Sequence, residues 1–189
     1  LIEVALPLGI INKASAFEKS RTQAHISSLH QYWARRPLVA CRAIIFAQLV
    51  DDPSSNLEKF PTLKSQNLER RRLFSIIREL VDWKNNTNKE LMQRAHNEII
   101  KCFDGNVPLI HDPFSGGGAI SIEAQRLGMQ THGSDLNPLA VVIGKSIVEI
   151  TPKFNDIKPI HPGGLDKSEY KNAEGLAEDV KYYAELLRK

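Results

Sequence analysis

The run Leu109-Ile110-His111-Asp112-Pro113-Phe114-Ser115-Gly116-Gly117-Gly118-Ala119 constrains this chain more than any other segment. A short apolar stretch ends in an acid, passes through a glycine-rich turn and opens a helical pattern at Ala119. A second stretch, Gln130 to Asp135, also ends in an acid. Strand, helix and strand joined by short links predict a parallel pair with a right-handed crossover. Such a unit holds a nucleoside-bearing ligand at the carboxyl edge of its strands.

The residue types narrow the ligand. Gly116 takes positive φ without a Cβ penalty, and Gly118 lets the backbone come close to a ligand. The free N–H groups that open the Ala119 helix then face an electronegative group. In a nucleotide site that group is a phosphate, but Asp112 at the strand end would repel a pyrophosphate. It favours instead a cationic ammonium, such as the methionine moiety of S-adenosylmethionine. Phe114 offers an apolar wall. Asp135 follows the glycines at roughly the 20-residue separation that sets a carboxylate against two ribose hydroxyls. One carboxylate accepts two hydrogen bonds at once, so a single acid grips a cis-diol. Each acid also has a plainer reading: Asp112 as a local turn-former, and Asp135 as the cap of a helix opening at Pro138. Both acids and the turn together, in register, favour a shared site.

Composition sets outer limits. At 189 residues the chain is one domain, or one domain with a helical annex. Its 42% hydrophobic content supports a real core and excludes a disordered chain. No apolar run approaches the roughly 18 residues of a membrane span, and the start does not read as a signal peptide. Cys41 and Cys102 then read as reduced, buried thiols, with the cytoplasm as the expected compartment. The net charge of +3 permits contact with nucleic acid without demanding it. His96, His111, His132 and His161 lack metal-ligand spacing, so no metal is expected. The first residue is Leu1, and the helical pattern Gly175–Lys189 runs out without a cap. Both ends therefore suggest a fragment of a longer protein.

Along the chain, Leu1 to Leu8 reads as a short strand or a docking arm, and Asn12 to Ser20 as a brief helix. Pro37 to Val50 predicts a buried helix with proline in its first turn, ending before Pro53. Ser54 to Lys64 reads as a loop. Ser65 to Trp83 carries Leu68, Leu73, Phe74, Ile76, Ile77, Leu80 and Val81 at helical spacing. Arg70, Arg71, Arg72 and Arg78 fall on its outer side, as a solvated face or a DNA-backbone contact. Asn88 caps a helix to Phe103. Strand Pro108–Asp112, helix Ala119–Leu127, strand Gln130–Asp135 and a helix from Pro138 to about Glu149 follow, then a Pro- and Gly-rich loop over Thr151–Lys167.

Asp112-Pro113-Phe114-Ser115-Gly116-Gly117-Gly118 resembles the Asp-Pro-Phe-x-Gly-x-Gly signature of amino-directed DNA methyltransferases. Ser134-Asp135-Leu136-Asn137-Pro138 resembles their ribose-binding strand end. Four N-terminal stretches resemble the DUF1156 family of adenine-specific DNA methylases. They are Leu1 to Leu8, Ile11 to Ala16, Leu29-His30-Gln31-Tyr32-Trp33-Ala34-Arg35-Arg36-Pro37-Leu38, and Ile45 to Pro53. The similarity covers most of residues 1–155.

The resemblance implies an α/β fold: a Rossmann-like S-adenosylmethionine-dependent methyltransferase core with a partial parallel sheet and a helical N-terminal annex. Residues 1–104 would form the arm and helical region, and residues 105–189 the first half of the core. It implies S-adenosyl-L-methionine as cofactor, held by Asp112, Pro113, Phe114, Gly116, Gly118, Asp135, Leu136 and Asn137. In such enzymes a His-Pro-x-x-Lys-Pro segment folds over the methionine end of the cofactor. Trp33-Ala34-Arg35-Arg36-Pro37 stands in its place, with Arg36 and Pro37 matching Lys-Pro, while the spacing of His30 departs from the pattern. The substrate implied is DNA, with adenine N6 the expected target. Partner proteins of a restriction-modification or phage-defence system are compatible with it. Enzymes of this kind hold the flipped base in an Asn/Asp/Ser-Pro-Pro-Tyr/Phe/Trp loop. No Pro-Pro pair occurs in the chain, so no catalytic residue is assigned and that loop is expected downstream. Cytosine N4 as target, RNA as substrate and a non-catalytic cofactor- or DNA-binding module remain open alternatives.

Overall fold

The computed structural model describes residues 1–20, 30, 32–163 and 169–188. Leu29 and Gln31 of the family-like segment, residues 164–167 of the expected loop and Lys189 lie outside the described residues. The architecture is mixed α/β, with a two-stranded parallel sheet against a set of helices.

The N-terminal part is organised around one helix. Helix α1 (Leu8–Lys19) begins earlier than its pattern suggests, and the residues before it form turns rather than a strand. They act as a docking arm: the Ile2 N–H donates to the Ala47 carbonyl at 3.0 Å. Helix α2 (Leu38–Leu49) is apolar nearly all round, with Val39, Ala43, Phe46 and Ala47 buried, as befits a helix enclosed by its neighbours. Pro37 sits just outside it in extended backbone, so the helix starts one residue later than expected. Pro37 has no side-chain acceptor to offer, and Glu18 of α1 supplies one instead. Its buried carboxylate accepts from the Leu38 N–H at 2.8 Å and the Val39 N–H at 2.9 Å. A carboxylate there satisfies two orphan donors and meets the positive end of the helix dipole.

Helix α3 (Leu63–Val81) opens on a reciprocal cap between Thr62 and Ser65, two residues before the expected start. Its inner face buries Leu73, Ile76, Ile77, Leu80 and Val81, while Leu68, read as part of that face, is exposed. Asn88 caps helix α4 (Lys89–Lys101) through the Leu91 N–H, as expected. The arginine run on α3 is largely consumed inside the protein. Arg70 is paired with Asp52 at 2.6 Å, and Arg72 bridges Glu69 and Glu98. The hydrogen bond from Arg70 is the main cause holding the Asp52 carboxyl well below the usual range. With Arg70 and Arg72 paired in this way, the run is mainly an ion-paired, solvated face, and Arg71 and Arg78 stay exposed beside it.

Strand β1 (Leu109–Asp112) leads through the glycine turn into α5 (Ala119–Arg126) and then to β2 (Gln130–Gly133). The strands pair in parallel, Leu109 with Gln130 and Asp112 with Gly133. The parallel pairing is as predicted, but β2 ends at Gly133, short of Asp135. Helix α6 (Pro138–Gly144) continues as a π-helical turn over Lys145–Ile150, so the single helix expected to about Glu149 changes pitch part-way. A 3-10 turn, Thr151–Phe154, opens the expected loop, and α7 (Glu174–Leu187) ends the described chain. No described helix is long and apolar enough to cross a membrane.

A continuous core joins these parts, running from Ile11 through α2, α3 and α4 to Ala124, Leu127 and Met129. At its centre lies Arg42, fully buried. Its Nε donates to Glu123 Oε2 at 2.5 Å and its Nη2 to Glu123 Oε1 at 3.1 Å. The remaining donors reach the Leu80 carbonyl at 2.9 Å and Asn86 Oδ1 at 2.8 Å. Arg126 bonds both Glu123 and Asn86, closing the network. A buried pair satisfied this fully links α2, α3 and α5 through one guanidinium. Arg42→Ala strands the Glu123 charge, and urea denaturation should show a loss of about 3–5 kcal/mol.

Candidate functional site

The carboxyl ends of β1 and β2 are held together by backbone bonds beyond the strands. The Ser134 N–H donates to the Asp112 carbonyl at 2.9 Å, and the Ser115 N–H to the Ser134 carbonyl at 3.0 Å. The turn between β1 and α5 therefore lies directly over the residues that follow β2. Gly116 has φ +51° and Gly118 φ +76°, the left-handed region that a glycine enters without penalty. Gly118 occupies the N-cap position of α5, so no side chain caps the opening N–H groups of that helix.

Asp135 is the residue that ties the two halves. Its Oδ2 accepts from the Gly116 N–H at 2.8 Å and its Oδ1 from the Asn137 N–H at 2.8 Å. These donors, Asn137 first and then Gly116, hold its carboxyl below the ordinary range, so it is ionised at neutral pH. The cap of α6 is made not by Asp135 but by Asn137, whose Oδ1 accepts from the Leu139 N–H at 3.0 Å. Asp112 is buried at the end of β1, and its Oδ1 accepts from the Phe114 N–H at 3.1 Å. Its turn-forming role is thus real. It occupies only one of the roughly four acceptor positions a carboxylate offers. The two acids meet the same turn from the two strand ends. A cavity of about 320 Å³ beside β2 and α6 is lined by Asp135, but not by Asp112, Phe114, Gly116 or Gly118.

Around the turn the surface is apolar and open. Phe114 is 84% exposed, Pro113 is exposed, and Leu136 next to Asp135 is fully exposed. From the other side comes the segment before α2. The Tyr32 ring lies against the turn: a Cβ on Gly116 would meet its Cε1 at 3.2 Å. His30 lies over Gly117, its Nε2 at 3.9 Å from where a Cβ would stand. Tyr32 lies in a loop without periodicity to mark it in the sequence. Its position beside Trp33 in the family-like segment was the available signal. Arg36 is exposed, and Pro37 leads into α2, whose first turn packs Leu38 and Cys41 on Ala119 of α5. Burial, followed by the Glu123, Glu18 and Asp112 carboxylates, pushes the Cys41 thiol up to about 12, and Arg36 acts in the opposite sense. Asp112 and Arg36 therefore both lie within electrostatic reach of that thiol, at the N-terminal end of α2. Among the described residues no three metal-ligating side chains cluster, here or elsewhere.

Residues 93–183 match the model of the D12 class N6 adenine-specific DNA methyltransferase family, and residues 5–76 match that of a protein family of unknown function, DUF1156. The chain is thus similar to DUF1156 over its N-terminal part and to the D12 class over its C-terminal part. The DUF1156 match ends at residue 76, well short of the 1–155 span that the motifs suggested, and the glycine turn and Asp135 fall within the D12 match. No curated protein and no solved structure matches the chain. The D12 match supports DNA methyltransferase activity in general. The glycine turn in this segment is conformationally committed. Gly116→Ala forces a Cβ into the left-handed region and against Tyr32. Thermal or urea unfolding should show a loss of about 1–2 kcal/mol from the backbone alone.

Proposed function

We propose that the chain is the S-adenosylmethionine-binding part of a DNA amino-methyltransferase directed at adenine N6. In this reading residues 105–189 supply part of a Rossmann-like core, and residues 1–104 supply the arm and helices that cover it. The observation that carries the proposal is the bond from the Gly116 N–H to Asp135, which joins the glycine turn and the second strand end into one site.

The residues present fit the cofactor. Asp135 is ionised, partly accessible and held at both oxygens by backbone donors, so it is pre-oriented to accept the two ribose hydroxyls with its remaining lone pairs. Phe114 and Leu136 leave apolar surface uncovered beside it, suited to a purine ring. Gly116 and Gly118 keep the backbone free of side chains where a ligand must approach closely. Asp112 supplies the negative charge that suits an ammonium group, and Arg36 and Pro37 border the methionine end as part of the covering segment. When bound, the cofactor supplies an activated methyl on a sulfonium. The protein's task is then alignment and exclusion of water rather than acid–base chemistry. The groups that would hold the target amine are no part of this assignment.

Isothermal calorimetry with S-adenosylmethionine tests the site. Asp135→Ala forfeits charge-assisted hydrogen bonds of about 1.5–3 kcal/mol each and should weaken binding tenfold or more. Because its carboxyl is held below the usual range, affinity should persist as the pH is lowered through 5 and fall only below the ordinary carboxylate range. Unchanged affinity in Asp135→Ala would remove the assignment.

A further inference from the structure

We propose that Trp33 is a stacking platform for an unpaired DNA base at the rim of the glycine turn. The inference rests on the reading of the chain as part of a DNA methyltransferase and adds a nucleic-acid contact that the cofactor assignment does not contain.

Trp33 stands at the tip of a tight turn, closed by the Arg35 N–H donating to the Tyr32 carbonyl at 3.4 Å. Its indole stacks on the Tyr32 ring, with centroids 4.8 Å apart and planes 15° from parallel. Tyr32 in turn bears on Gly116 and Gly117. One face of the indole is therefore backed by a ring that is itself anchored to the site. Yet Trp33 is 78% exposed, so the other face is open to solvent. A single exposed aromatic is ordinary on a protein surface. An indole held flat by a turn and a stacked tyrosine is different, because its orientation is fixed before any ligand arrives. Every nucleobase has a π-face, so such a ring stacks on bases without regard to sequence.

The surroundings suit the same occupant. Arg35 lies two residues on and is exposed, placing a cation near the indole for a phosphate beside a stacked base. Among the described residues Arg70 and Arg72 are spent on carboxylates, whereas Arg35 is not. Methyl transfer to an exocyclic amine requires the base to leave the duplex, so unpaired bases occur beside such a site by necessity.

The chain has two tryptophans, Trp33 and Trp83, so a Trp83→Phe protein reports on Trp33 alone. Trp83 packs against the helical core. Titrating a single-stranded DNA oligonucleotide into this protein should quench the Trp33 fluorescence with a saturable curve. In the otherwise unaltered chain, Trp33→Ala should bind that oligonucleotide about tenfold more weakly. Trp33→Phe should retain most of the affinity, and circular dichroism should show both variants folded. Calorimetry with S-adenosylhomocysteine should give the same affinity for Trp33→Ala as for the parent. No quenching by DNA, or undiminished DNA binding in Trp33→Ala, would overturn the proposal. So would quenching by S-adenosylhomocysteine accompanied by its weaker binding to Trp33→Ala, since the indole would then be a wall of the cofactor pocket. Failure of the parent to bind S-adenosylhomocysteine, with DNA quenching intact, would instead strike the cofactor reading and leave the stacking contact standing.

Discussion

The buried pair between Arg42 and Glu123 is the constraint on which the rest of this structure depends. Arg42 lies in the middle of a helix that is otherwise apolar, and Glu123 lies on the helix that follows the glycine turn. A guanidinium enclosed by protein is tolerable only where its donors are met, and here they reach Glu123, the Leu80 carbonyl and Asn86. That requirement allows very little latitude in how α5 sits on α2. Since α5 begins at Gly118, the orientation of the turn is inherited from the pair. The segment before α2 is placed in the same way, because Glu18 fixes the first turn of α2 and the chain must enter it through Pro37.

The consequence is that the segment matching DUF1156 and the segment matching the D12 class share a core and meet at the glycine turn. Tyr32, before α2, rests on glycines that lie after β1. Leu38 and Cys41 of α2 pack on Ala119. The N-terminal helices thus do more than bury apolar surface. They present Tyr32, Trp33, Arg35 and Arg36 to the carboxyl edge of the sheet, where open α/β units bind their ligands.

Much of this was legible in the sequence where local chemistry decides. The strand, glycine turn, helix and strand follow from residue types alone, as do the caps at Asn88 and the stop before Pro53. The positive φ expected at Gly116 is present, because a turn this tight has few other solutions, and Gly118 adopts it as well. What escaped reading depends on long-range partners. Arg42 has no local partner in the sequence, and Glu123, which meets it, lies 81 residues on. Glu18 as a remote cap needs the packing of α1 against α2, and the loss of the α3 arginines to Asp52, Glu69 and Glu98 likewise needs tertiary contacts. Leu68 failed for a different reason: helical spacing placed it on the inner face, and nothing packs over that end of the stripe. Tyr32 is the most consequential omission, since an aromatic in a loop has no periodicity to mark it.

The central claim is that one nucleoside sits where the glycine turn, the residues after β2 and the segment before α2 converge. Hydrogen exchange read by mass spectrometry, with and without S-adenosylhomocysteine, measures this most directly. Three peptides should gain protection together: those spanning residues 32–37, 112–119 and 133–137. Protection confined to the cavity beside Lys145 and Glu149, or absent from the glycine turn, would contradict it.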